Sequence, residues 1–240
     1  MIKLFTYPWN WFLDALYPKR CLGCGAWGSW CCNRCLASLS FSRELHCPAC
    51  GQVSAVGEFC DHCRSGHELK GLWLAQRYGN PLVRSLIKAL KYDGLTDLLK
   101  PLARLLTATL KSYSLPPAWH EVPRERWLLV PVPLANKRLR SRNFNQAEAL
   151  AKLVGADTGL TVAPVLERLR ATKPQSELRE EDKTANVHNA FGVIAGSNVS
   201  GRACIVVDDI YTSGATMEEC ARALKAAGAL EVWGLTIAQG

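Results

Sequence analysis

The sequence predicts an α/β protein, a parallel-sheet domain preceded by a small cysteine-rich module. Three observations predict it. Nine of the 11 cysteines fall between Cys21 and Cys63, and the other two, Cys204 and Cys220, are isolated. From Leu72 onward, short β-branched runs alternate with segments of helical period, the pattern of strands joined by helices in a parallel sheet. One such run, Cys204-Ile205-Val206-Val207, leads into two acids and a turn of small residues, at the strand end where such sheets bind ligands.

Each element has its own signal. Residues 4–17 combine Trp9, Trp11, Phe12, Leu13 and Leu16 with few charges. Residues 1–20 therefore read as an amphipathic segment, either a short helix packed on its own protein or an interfacial anchor. Residues 21–70 are the cysteine module and residues 71–240 the sheet domain. Pro81 opens a helix whose Leu82, Val83, Leu86, Ile87 and Leu90 recur on one side, with Lys88 and Lys91 on the other. A second helix covers 95–112, and Ser114-Leu115-Pro116-Pro117 breaks the chain after it. Residues 127–133 read as a short buried strand, 137–142 as a basic loop and 146–154 as a helix. Residues 203–207 are a strand, 217–227 a helix closed by Gly228, and 231–237 the last strand. The polar stretch 168–189 has no apolar period, so it reads as a functional flap or a disordered loop.

Composition excludes several classes. With 48% hydrophobic and 21% charged residues, the chain is not intrinsically disordered. No apolar run approaches the length of a spanning helix and no secretory signature opens the chain, so a cytoplasmic protein is expected. The charge is basic, 29 Lys plus Arg against 21 Asp plus Glu, and residues 71–200 hold 19 of the former and 11 of the latter. That excess favours a polyanionic partner.

In a reducing compartment, paired Cys-x-x-Cys units read as metal ligands. Cys21-Leu22-Gly23-Cys24-Gly25 and Cys47-Pro48-Ala49-Cys50-Gly51 share one pattern, and each precedes a plain unit, Cys32–Cys35 and Cys60–Cys63. A Cys-x-x-Cys turn directs both thiolates at one metal, and two turns complete a tetrahedral S₄ zinc site. The expected ligand sets are Cys21/Cys24/Cys32/Cys35 and Cys47/Cys50/Cys60/Cys63. The short spacing between turns leaves an interleaved pairing open. Eight cysteines saturate two metals, so the zinc is structural.

The strongest site signal is Val206-Val207-Asp208-Asp209-Ile210-Tyr211-Thr212-Ser213-Gly214-Ala215-Thr216. Adjacent carboxylates suit a vicinal diol, each accepting a hydrogen bond from one hydroxyl, and their charge draws Mg²⁺. Thr212, Ser213, Gly214, Ala215 and Thr216 then form a turn opening a helix, which offers backbone N–H groups, hydroxyls and a positive dipole end to a phosphate. Together these describe a site for a phosphorylated ribose with magnesium. The run resembles the phosphoribosyl pyrophosphate motif of type I phosphoribosyltransferases, except that Tyr211 stands where most have an aliphatic residue.

Two further segments join this one. Lys137, Arg138, Arg140 and Arg142 place four cations in six positions beside a strand end, fit for pyrophosphate or a nucleic-acid backbone. Lys173, in Thr172-Lys173-Pro174-Gln175, could close over a ligand and exclude water as a catalytic group beside Asp208 and Asp209.

The motifs in this order resemble the ComF family of competence and DNA-utilisation proteins. The resemblance rests on the cysteine module, Ile87-Lys88-Ala89-Leu90-Lys91-Tyr92, Val130-Pro131-Val132-Pro133, Arg142-Asn143-Phe144-Asn145-Gln146, Thr172-Lys173-Pro174-Gln175 and the Asp-Asp run. It implies a type I phosphoribosyltransferase-like domain behind a double zinc ribbon, and a role in uptake or use of DNA. Asn143 replaces the family's usual Gly, and Asn is among the residues most tolerant of the positive φ such a turn needs. The reading favoured is a protein that binds phosphoribosyl pyrophosphate with Mg²⁺ and single-stranded DNA. The DNA would lie along Arg138, Arg140 and Arg142, with Trp27 and Trp30 stacking on bases. Proteins of the DNA-uptake machinery and the inner face of a membrane are further expected contacts. The alternative is an active phosphoribosyltransferase whose acceptor no segment reveals. Protein purified without chelator should carry about two zinc ions per chain by elemental analysis, and one or none would reject the paired assignment.

Overall fold

The computed structural model describes residues 18–39, 45–112, 122–170, 172 and 179–240. The chain divides into two compact units, residues 1–40 and residues 41–240. Most of the amphipathic 1–20 segment, and Lys173 with it, lie outside the described residues.

The first unit is a metal-type knuckle with little regular structure. Arg20 and Trp27 form an isolated antiparallel bridge around the Cys21–Cys24 turn. A short helix follows, α1 (Asn33–Ala37), whose N-cap Cys32 accepts at its sulfur from the Cys35 N–H. That unit buries few apolar side chains, Cys21, Cys35 and Leu39 among them, so packing alone gives it little to fold around.

The second unit opens with a similar knuckle. A two-residue hairpin, β1 (Leu45–His46) and β2 (Val53–Ser54), pairs Leu45 with Ser54 and His46 with Val53, and α2 (Asp61–Arg64) follows. The sheet domain then unfolds in order: β3 (Gly71–Arg77), α3 (Pro81–Tyr92), α4 (Leu99–Ser112), β4 (Trp127–Pro131), α5 (Asn136–Arg142), α6 (Gln146–Thr158), β5 (Thr161–Val162), β6 (Leu166–Arg168), α7 (Glu180–Val187), β7 (Phe191–Val193), β8 (Ala203–Tyr211), α8 (Ala215–Ala226) and β9 (Glu231–Gln239). Helix α3 starts where expected, because Asn80 accepts from the Leu82 and Val83 N–H groups and Pro81 needs no donor partner at the first position.

Five strands form a parallel sheet in the order β3-β9-β8-β4-β5. The two longest, β8 and β9, are central and buried on both faces, which explains their unbroken apolar runs. Trp73 of β3 stacks on Trp233 of β9 with ring centroids 4.4 Å apart. A separate antiparallel pair, β6 with β7, sits outside this sheet.

Three expectations are corrected. Residues 137–142 are not a loop; all belong to α5, which ends in Asn143 at φ 62°. The left-handed cap is therefore kept by Asn, as the substitution for Gly anticipates. The polar stretch is not structureless throughout, since α7 occupies residues 180–187. Strand β8 does not stop at Val207 but pairs with β9 as far as Tyr211 opposite Gln239, so the two acids lie within the ladder.

Candidate functional site

The two cysteine groups assemble as consecutive sets, Cys21/Cys24/Cys32/Cys35 and Cys47/Cys50/Cys60/Cys63, each with its four sulfurs within 4.8 Å of one another. The interleaved pairing is ruled out. Cys24 and Cys32 sulfurs are 3.7 Å apart, as are those of Cys50 and Cys60. Zn–S bonds of about 2.3 Å in a tetrahedron require an S···S edge close to 3.8 Å, so both sets fit zinc. Burial opposes ionisation of Cys21, but the Cys32, Cys24 and Gly23 N–H groups aimed at its sulfur outweigh it and lower its pKa to about 6. Cys47 reaches about 6 in the same way, through N–H groups of Cys50, Cys60 and Ala49. Each knuckle thus presents a thiolate before the metal contributes anything. Cys31, His46 and His62 stand outside both sets.

The acid pair sits at the floor of a cavity of about 790 Å³ in the second unit. Asp209 is buried, 7% exposed, and its carboxylate meets the Lys91 ammonium at 2.7 Å. Lys91 comes from the last turn of α3. Its helical position set it apart from the apolar face, which read as solvent exposure; the structure turns it into the site instead. Burial opposes the Lys91 charge, but Asp209 outweighs it and holds the ammonium charged. Among the described residues Asp208 has no cation in direct contact, although Lys91 and Arg168 act on it from further away. Burial first, and then the charge of Asp209, push its pKa up to about 7, although Lys91 and the Asp209 N–H at 2.8 Å pull the other way.

The turn after β8 carries Thr212, Ser213 and Gly214 into α8. Gly214 has φ 78°, and a Cβ there would fall on the Tyr211 ring, 2.6 Å from Cζ, so no other residue fits without moving that ring. Thr212, Gly214 and Thr216 line the cavity with Asp208 and Asp209. Ser213 and Ala215 belong to the same turn but not to the lining; Ser213 Oγ instead lies 3.4 Å from the Ala215 N–H.

The opposite wall is basic. Arg138 and Arg142, one helical turn apart on α5, both face the cavity, whereas Lys137 and Arg140 are exposed and do not line it. The segment after them is clamped to β4. Asn145 accepts from the Ala147 N–H as N-cap of α6 and donates through Nδ2 to the Val132 carbonyl at 3.0 Å. Arg142 donates to Gln146 Oε1 at 3.2 Å, while the buried Gln146 Nε2 has no partner among the described residues. Sequence reasoning missed Lys91, Gln146 and Arg168 as site residues. Arg168 lines the cavity beside Thr172, to which it hydrogen-bonds, stacks on Phe191, and has no carboxylate partner among the described residues. The quoted motifs contained Lys91 and Gln146, but nothing local distinguishes a cavity-facing polar side chain from a solvent-facing one.

Trp27 and Trp30 belong to the first unit. Trp27 is 59% exposed with the Arg20 guanidinium 3.8 Å over its ring, and Trp30 is half-buried. Among the described residues no helix is long and apolar enough to cross a membrane.

A parallel sheet with an acid pair and a glycine turn at one strand end, joined to two S₄ knuckles, defines a phosphoribosyltransferase-like protein with a double zinc ribbon. Family models agree: residues 12–64 match a double zinc ribbon domain and residues 159–238 a phosphoribosyl transferase domain. The chain is similar to competence protein F of Haemophilus influenzae, 26% identical over 85% of this chain and 95% of the relative. It is similar to the DNA utilization protein YhgH of Escherichia coli, 29% identical over 88% and 91%, and to competence protein ComFC of Streptococcus pneumoniae, 25% identical over 84% of each chain. These matches bear out the ComF resemblance across most of the chain.

The raised Asp208 pKa fixes a sign for stability. Below pH 4 the carboxyl is protonated whether folded or unfolded and costs nothing. Between pH 4 and about 7 only the unfolded chain ionises it, so its contribution falls as pH rises and levels off above the folded pKa. The cost above pH 7 is at most about 4 kcal/mol, and less where solvent reaches the group. Asp208→Asn should therefore melt higher than wild type at pH 8 without ligand, with the gap closing toward pH 4. A gap independent of pH in a thermal scan would contradict this.

Proposed function

We propose that this protein binds phosphoribosyl pyrophosphate with magnesium in the Asp208–Asp209 cavity and acts in the uptake or utilisation of DNA. The observation that carries the ligand is the placement of the acid pair and the Thr212–Thr216 turn on one side of a cavity, with Arg138, Arg142, Lys91 and Arg168 among its other walls. Ribose hydroxyls would donate to Asp208 and Asp209. The 5′-phosphate would take the N–H groups and hydroxyls of the turn at the α8 N-terminus. Arg138 and Arg142 would hold the pyrophosphate by charge-assisted hydrogen bonds. Magnesium, when bound, would neutralise pyrophosphate charge beside the acid pair. Lys173 remains the proposed group that closes over the ligand.

The DNA role rests on the names of the relatives, competence proteins and DNA utilization proteins, which match most of this chain. Single-stranded DNA would follow Arg138, Arg140 and Arg142, with Trp27 and Trp30 as stacking groups. Two of those arginines line the ligand cavity, so DNA and phosphoribosyl pyrophosphate would compete there. Contact with uptake-machinery proteins, or with a membrane surface through residues 1–20, belongs to the same proposal. Turnover is the second reading. It is favoured by the match of residues 159–238 to a phosphoribosyl transferase domain.

Binding to the native state must raise stability, by about 2.7 kcal/mol at ligand one hundred times above Kd. Phosphoribosyl pyrophosphate with Mg²⁺ should thus raise Tm in wild type and leave Asp208→Asn/Asp209→Asn unmoved; no shift in wild type at millimolar ligand would refute the ligand. For DNA, replacing Arg138, Arg140 and Arg142 by Ala should reduce the slope of log affinity against log salt by about 2. Unchanged affinity and slope would sink the proposed DNA surface.

A further inference from the structure

We propose that the second zinc site sets the geometry of the phosphate turn, acting through Tyr211 and Glu218 as positioning residues. This role rests on the reading of residues 212–216 as that turn. Tyr211 is the residue that breaks the usual aliphatic pattern after the acid pair. It is 5% exposed, and its ring occupies the space beneath Gly214 that any side chain there would need. The same ring belongs to a buried cluster that includes the ligand Cys47 and Phe59. Across the ladder, Tyr211 pairs with Gln239, whose Nε2 donates to the Pro48 carbonyl at 3.2 Å. Pro48 lies inside the Cys47–Cys50 knuckle. The knuckle is therefore bonded to the end of β9, the ladder partner of the β8 end from which the turn departs, and the Tyr211 ring lies between that end and the glycine of the turn.

A second brace reaches the helix. Glu218, in the first turn of α8, accepts from the Glu68 N–H at 2.7 Å and the Leu69 N–H at 3.1 Å, and its other oxygen meets His67 Nδ1 at 2.7 Å. His67 stacks on Phe59 with centroids 3.8 Å apart, and Phe59 immediately precedes the ligand Cys60. The two halves of the zinc site are thus tied to the elements around the turn, the Cys47 half to β9 beside the end of β8 and the Cys60 half, through Phe59 and His67, to α8.

The knuckle cannot hold this position by itself. Its regular structure amounts to a two-residue hairpin and a four-residue helix. Segments of this size draw their folding free energy from the metal. Without zinc, residues 56–59 keep their hydrogen bonds to residues 70–73, but the Cys47–Cys50 and Cys60–Cys63 turns lose their fixed geometry, Tyr211 loses one side of its packing, and Glu218 loses the ordered N–H groups it receives. The turn would then sample conformations in which its donors no longer converge. The two zinc sites are alike in sequence but not in what they support. The first belongs to a separate compact unit.

Amide hydrogen exchange of residues 218–222, the first amides of α8 with acceptors in the helix, in the full-length protein with no ligand present tests this directly, alongside a zinc count. Cys50→Ser should remove one zinc and speed exchange there by about 10-fold or more, while Cys24→Ser should remove one zinc and leave it unchanged. Tyr211→Ala should speed exchange with both zinc ions retained, and Tyr211→Phe should restore protection. Should Cys50→Ser fail to fold, the Tyr211 pair decides alone. Wild-type protection in Cys50→Ser or Tyr211→Ala, or equal loss in Cys24→Ser, would overturn the proposal. Because exchange is read without ligand, failure to bind phosphoribosyl pyrophosphate would count against the function proposed above and not against the brace. If the ligand does bind, Tyr211→Ala should weaken it by the same factor that exchange reports.

Discussion

Ionised groups inside a parallel sheet are costly, and this molecule places two of them side by side. Asp208 and Asp209 lie within the ladder between β8 and β9, where solvent stabilises them poorly. Much of the second unit can be understood as an answer to that cost. Lys91 is delivered by the end of α3 to neutralise Asp209, and the remaining charge is relieved by keeping Asp208 near protonation. A ligand carrying its own cation and several hydroxyls, as proposed above, would relieve it further.

Pairing β8 to Tyr211 is the constraint from which the rest follows. Were the strand to end at Val207, the acids would swing free with the loop. Because Tyr211 remains opposite Gln239, the turn begins from a fixed point, and Gly214 needs its left-handed φ to pass over the tyrosine ring and enter α8. The basic wall is fixed by an equivalent device. Asn143 reverses α5, and Asn145 both caps α6 and ties back to Val132 after β4, so Arg138 and Arg142 face the acids across the cavity. The acid wall is held by the β8–β9 ladder, and the basic wall is followed by a side-chain bond from Asn145 to the Val132 carbonyl.

The likeness to competence and DNA utilization proteins spans most of the chain, knuckles included, at identities of 25–29% for the three relatives named. In the second unit the Cys47–Cys63 knuckle is bonded to β9 through Gln239, and the segment that follows it is bonded to α8 through Glu218.

Local signals in the sequence determined the parallel sheet, the two S₄ sets and the acid-turn motif. Each is written in near neighbours: β-branched runs, Cys-x-x-Cys turns, and carboxylates followed by a glycine turn. The sequential pairing of the cysteines became definite only when sulfur separations could be compared with a tetrahedron. Helix α5 was hidden because its seven residues carry too few apolar side chains to show a period. Lys91, Arg168 and Gln146 were invisible as site residues for a deeper reason: a polar side chain on a helix or strand end reads as solvent-facing until the fold shows what lies opposite. Only tertiary structure brings α3, α5 and the end of β6 to the cavity at the end of β8, because those segments are distant in sequence. Tyr211 spans both levels. Its identity stands out in the sequence as a departure, but its purpose depends on a glycine, a zinc knuckle and a glutamine strand partner that only the fold places around it.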